Sequence, residues 1–94
     1  MPMKIVADMS LYPLKGEPIP DIIGFIEDLQ TQGGIEIVTN QLSTQVRGEF
    51  EAVTAAIRRC MEKVMAKPET FVLVVKYLNV DVELSQAPSL TPEV

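Results

Sequence analysis

Residues 3 to 12 alternate strictly, with Ile5, Ala7, Met9 and Leu11 on one side and Asp8, Ser10 and Tyr12 on the other. A period of two predicts a strand with one dry and one polar face. Pro13 and the run Lys15-Gly16-Glu17-Pro18 predict its end, since proline cannot donate to a ladder and glycine permits a turn. From about Pro20 the period changes. Ile22, Phe25, Ile26 and Leu29 recur at helical spacing, Pro20 suits a first turn, and Gly33-Gly34 forms a C-terminal stop.

Two β-rich runs between Ile35 and Glu49 flank a polar corner at Asn40-Gln41 and predict a hairpin that Gly48 closes. Its second run carries hydroxyl and amide side chains where a plain core strand would carry Val or Ile. Phe50, Val53, Ile57, Met61 and Val64 then step by three and four residues, with Glu49 and Glu51 at one end and Lys63 and Lys67 at the other, as a helix dipole favours. Pro68 stops this second helix. Phe71 to Leu78 is short, β-branched and aromatic, and predicts a last strand with Lys76 interrupting one face. Residues 1 to 80 are expected to form one domain and residues 81 to 94 a loose C-terminal tail.

The order strand, helix, strand, strand, helix, strand predicts an α+β, ferredoxin-like βαββαβ sandwich. Right-handed crossovers put both helices on one face of a four-stranded antiparallel sheet, with the first and third strands central. The other face is then left open. Alternation assigns to it Asp8, Ser10 and Tyr12 from the first strand, Ser43, Gln45 and Arg47 from the third, and Val38, Asn40 and Lys76. Leu42 and Val46 are assigned to the core, and Thr39 and Thr44 to the corner or the core. Asp8, Arg47 and Lys76 on such a face can be an ordinary solvated charge network. Ser10, Asn40, Ser43 and Gln45, however, crowd donors and acceptors into a small area beside Tyr12, which can stack on a flat ring, as binding a small heteroaromatic molecule requires. Val6, Val38, Val72, Val74 and Leu78 add an apolar component to the face, so a second copy is expected to cover it and wall a pocket, in a homodimer or homotetramer.

Composition narrows the function. The 94 residues are 47% hydrophobic and carry 13 acidic against 8 basic side chains, a net charge of −5, with no histidine and one cysteine. Scattered basic residues argue against nucleic acid and anionic membrane surfaces as partners. The absence of histidine removes the commonest general base and metal ligand, so a non-enzymatic protein with no cofactor and no metal is expected. A lone Cys60 excludes intramolecular disulfides, and its helical position predicts a small buried hydrophobe. An apolar signal core is not evident before Lys4 and Asp8, and no stretch approaches bilayer length, which leads to the expectation of a cytoplasmic protein.

Three segments together, Met9-Ser10-Leu11-Tyr12-Pro13-Leu14, Thr39-x-x-x-Ser43-Thr44 and Gly48-Glu49-Phe50-Glu51-x-Val53, resemble the YkoF-like thiamine-binding proteins and their single-domain relatives, over residues 3 to 79. The resemblance implies a ferredoxin-like domain, assembled in pairs or fours, that binds thiamine or its hydroxymethylpyrimidine half without transforming it. It implies Ser10, Tyr12, Thr39, Asn40, Ser43 and Thr44 as pocket residues. Asp8, Gln45 and Lys76 join them from the open-face argument alone. A sheet used only for self-association, as a regulatory or scaffolding module, is the alternative.

Overall fold

The computed structural model describes residues 3–14 and 18–84. Its elements are β1 (Lys4–Pro13), α1 (Pro18–Gln30), β2 (Ile35–Thr39), β3 (Thr44–Glu49), α2 (Phe50–Met65) and β4 (Phe71–Leu78). The turn expected at residues 15 to 17 and the tail beyond residue 84 lie outside the described residues.

The strands form one antiparallel sheet in the order β2-β3-β1-β4, with β1 and β3 central. This is the ferredoxin-like α+β arrangement that the order of periods predicts. Ile5, Ala7, Met9 and Leu11 of β1 and Val46 of β3 are buried with Phe25 and Leu29 of α1 and with Val53, Ala56, Ile57, Cys60 and Val64 of α2. Core packing therefore lies between one face of the sheet and the helix pair. The ion pair Lys63 to Asp28 (2.9 Å) bridges the two helices, and Lys67, just beyond α2, pairs with Asp21 of α1 (3.2 Å).

Three expected core positions are corrected. Leu42 is 88% exposed, because the hairpin connection spans four residues, 40 to 43, and β3 begins only at Thr44. Phe50 (43%) and Met61 (37%) also face solvent. The α2 stripe runs instead through Val53, Ala56, Ile57, Cys60 and Val64, so small residues let the helix lie close to the sheet. Phe50 opens α2 with its N–H donating to the Met3 carbonyl at 2.7 Å, a contact that ties the helix start to β1 and leaves the ring outside. Among the described residues, no helix is long and apolar enough to cross a membrane.

Candidate functional site

The β1·β3 pairing stops at Met9↔Thr44, whereas β1·β4 continues to Pro13↔Phe71. From Ser10 to Tyr12, the β3-facing edge of β1 thus has no strand partner, and the 40–43 loop fills the space beside it. Asn40 shapes that loop. Its Oδ1 accepts from the N–H groups of Leu42 (2.8 Å) and Ser43 (3.0 Å), while its own N–H donates to the Ser43 carbonyl (3.0 Å). Such Asx geometry commits Oδ1 to forming the turn. Ser10 Oγ reaches the Leu42 carbonyl at 3.4 Å.

At the mouth of the hairpin, the hydroxyls of Thr39 and Thr44 are 3.1 Å apart, and Thr44 is buried. By strand parity both point to the helix side of the sheet, and the corner-or-core alternative divides between them, Thr44 being buried in the core and Thr39 exposed at the corner. Between the hairpin loop, the free edge of β1 and α1 lies a cavity of about 230 Å³. Its floor is apolar, from Met9, Leu11, Ile22, Phe25 and Ile26, and its rim is polar, from Ser10, Thr39, Asn40, Ser43 and Thr44, with Tyr12 beside them. All six residues implied by the family resemblance line this one cavity.

The three residues added by the open-face argument do not. Pairing places Gln45, Asp8 and Lys76 in one row across the open face, and Arg47, Val6 and Leu78 in the next. Gln45 Nε2 donates to Asp8 Oδ1 at 3.0 Å and to Ser43 Oγ at 2.7 Å, while Lys76 Nζ stands 3.9 Å from Asp8 Oδ2. The hydrogen bond from Gln45, then Ser43, holds the Asp8 carboxyl below its ordinary range against partial desolvation, and the Lys76 charge adds to this. A second cavity, about 510 Å³, opens over these rows and is roofed by Val82 and Leu84.

That roof was not legible as structure in the sequence. Arg47 Nε donates to Asp81 at 2.7 Å and its Nη1 to Glu83 at 3.2 Å and Glu36 at 3.1 Å. The first residues of the expected tail therefore strap back over the sheet, and Val6, on the face without helices, is only 4% exposed. Asp81 is held below, and Arg47 above, its ordinary range by their mutual hydrogen bond. The one signal available was the alternation Asp81-Val82-Glu83-Leu84, a period of two that sends acids to Arg47 and aliphatics to the cavity. The α1 floor residues were also absent from the sequence-based set, since they read simply as core.

No family model matches the chain, and a search of curated proteins gives no significant match. Solved structures do match. A Streptococcus pneumoniae protein superposes with a TM-score of 0.75 at 27% identity, over 88% of this chain and 92% of that one. A hypothetical protein from Methanocaldococcus jannaschii gives 0.70 at 21%, over 94% and 89%. A proposed thiamine biosynthesis/salvage protein from Thermotoga maritima gives 0.66 at 19%, over 86% and 90%. A domain of unknown function, DUF77, from Bacillus cereus gives 0.69 at 14%, over 96% and 86%. The chain shares its fold with all four across nearly their whole lengths.

Proposed function

We propose that this chain is a single-domain relative of the YkoF-like proteins and binds, without transforming it, the hydroxymethylpyrimidine half of thiamine in the hairpin cavity. The observation that carries this reading is the convergence of Ser10, Tyr12, Thr39, Asn40, Ser43 and Thr44 on one small cavity with an apolar floor. An aminopyrimidine presents ring acceptors beside an amino donor, and hydroxyl and amide side chains answer both. At about 230 Å³ the cavity falls below the roughly 300–1,000 Å³ usual for drug-sized ligands, which favours one ring over the two of thiamine. The T. maritima protein that shares the fold is described as acting in thiamine biosynthesis or salvage, which agrees with a thiamine-derived ligand.

Calorimetric titration and thermal shift with thiamine, hydroxymethylpyrimidine and the thiazole half test the reading. The pyrimidine half is expected to bind at least as well as thiamine, and the thiazole half not at all. Failure of all three to bind or to stabilise the fold would sink it.

A second reading, self-association through the sheet in a dimer or tetramer, is supported by the exposed apolar strip of Tyr12, Val72 and Val74 on the unstrapped half of the open face. Light scattering that finds a monomer at every accessible concentration removes it.

A further inference from the structure

The second cavity has a composition unlike the first. Its polar end is the Gln45–Asp8–Lys76 row, and its apolar end is Val6 and Leu78 below Val82 and Leu84. The two rows are two residues apart along each strand, about 7 Å. At 3.9 Å, Lys76 Nζ and Asp8 Oδ2 attract one another without a hydrogen bond, and Lys76 is largely exposed. The pair therefore presents an anion and a cation side by side, each with hydrogen-bonding capacity to spare.

We propose that this cavity is a second binding site, distinct from the hairpin cavity, for a free amino acid with an apolar side chain. The two charges of such a zwitterion are separated by about one ion-pair distance, as Asp8 and Lys76 are. Its ammonium donates to Asp8 Oδ2 and its carboxylate accepts from Lys76 Nζ, so one loose contact is exchanged for two charge-assisted hydrogen bonds. An aliphatic or aromatic side chain then lies along the strands onto Val6 and Leu78. The cavity, about 510 Å³, is within the range of small-molecule sites.

The hollow is open to solvent, and a ligand side chain that reaches the buried Val6 displaces part of the strap beside it. The strap's ion pairs to Arg47 are partly exposed, with side-chain accessibilities of 22% for Arg47, 42% for Asp81 and 44% for Glu83, and pairs of this kind hold weakly. The segment thus borders the site, where Val82 and Leu84 offer apolar contact to the ligand's side chain. This site does not depend on the pyrimidine reading, because the two cavities lie at different places on the sheet.

The test is an amide NMR titration of the full chain with leucine, phenylalanine, glycine, isovalerate and isoamylamine. Leucine and phenylalanine are expected to shift the Asp8, Lys76 and Val82 amides saturably. Glycine and either single-charge analogue should bind weaker by about tenfold or more. Lys76→Gln, at an exposed position, should lower leucine affinity by a similar factor with no change in melting, and Asp8→Asn should lower it likewise while also losing the stability that the Asp8 carboxylate contributes. The idea is overturned by absence of saturation up to about 10 mM leucine or phenylalanine, by equal binding of glycine or of either single-charge analogue, or by unaltered affinity in Lys76→Gln. Shifts that follow protein concentration alone, as a second copy seated on this face would give, also overturn it. If hydroxymethylpyrimidine binds, leucine should bind alongside it. Mutual exclusion of the two would overturn the separation of the sites.

Discussion

At the scale of single residues, the two sites meet at Gln45, whose amide is donated to both Asp8 and Ser43. Because Asp8 titrates below its ordinary range in the folded chain, its ionisation favours folding. That contribution is fully present above the unfolded carboxylate pKa and is lost as pH falls through the depressed folded value. Gln45→Ala removes the largest cause, so the Asp8 titration followed by carboxyl NMR should move up toward the ordinary range. An unmoved midpoint would show that Gln45 does not hold the carboxylate. Asn40 separates structure from binding in the neighbouring loop. Asn40→Ala leaves two backbone N–H groups without their acceptor and should lower stability by about 1 kcal/mol as well as weaken pyrimidine binding. Asn40→Asp keeps the acceptor, so its melting temperature should stay near that of the parent chain while the loss of the amide donor is read in affinity.

Elements owe their placement to small residues as much as to large ones. Gly48 pairs with Ile5 on one side and Ile35 on the other, and a Cβ there would come within 2.9 Å of the Gly34 carbonyl. Gly34 itself turns the chain from α1 into β2 at φ +78°, a conformation that suits glycine. Gly48→Ala must therefore shift backbone against backbone and should cost about 1–3 kcal/mol in denaturant unfolding. The opposite sign is expected at Gly24, inside α1, where an added Cβ meets nothing within 4 Å. Gly24→Ala should stabilise by roughly 0.5–1 kcal/mol through helix propensity alone. Equal effects at the two sites would refute the packing argument for Gly48.

For the molecule as a whole, the strap makes the two halves of the open face unequal. Over Val6 the face is closed by the chain's own segment, and over Tyr12, Val72 and Val74 it stays open. Arg47→Met removes the clamp that gathers Asp81, Glu83 and Glu36. Hydrogen exchange at residues 81–84 should then speed up markedly while the core amides of β1 and β3 keep their protection, since the strap opens locally. Acid should act in the same direction. Asp81 titrates below its ordinary range, so its hold on Arg47 is intact above that range and lost as pH falls through the lowered value. Exchange at 81–84 that is indifferent to both changes would mean that Val82 and Leu84, not the ion pairs, fix the strap.

Local periodicity determined the six elements, their order and hence the sheet, because a period of two or of 3.6 is written residue by residue and short connections leave few topologies. It also placed Asp8, Ser10, Tyr12, Gln45 and Lys76 opposite the core, since side-chain parity follows directly from the strand. Parity gave no information on where pairing stops. Loop length depends on the Asn40 turn, which leaves Leu42 outside β3, and which third of an amphipathic helix touches the sheet depends on the partner surface, which leaves Phe50 and Met61 outside the α2 stripe. Only the tertiary structure divided the nine candidate residues between two cavities, by beginning β3 only at Thr44 and leaving the edge of β1 free beside α1. Only it brought Asp81 and Glu83 to Arg47, a contact across more than thirty residues for which no local pattern carries the information.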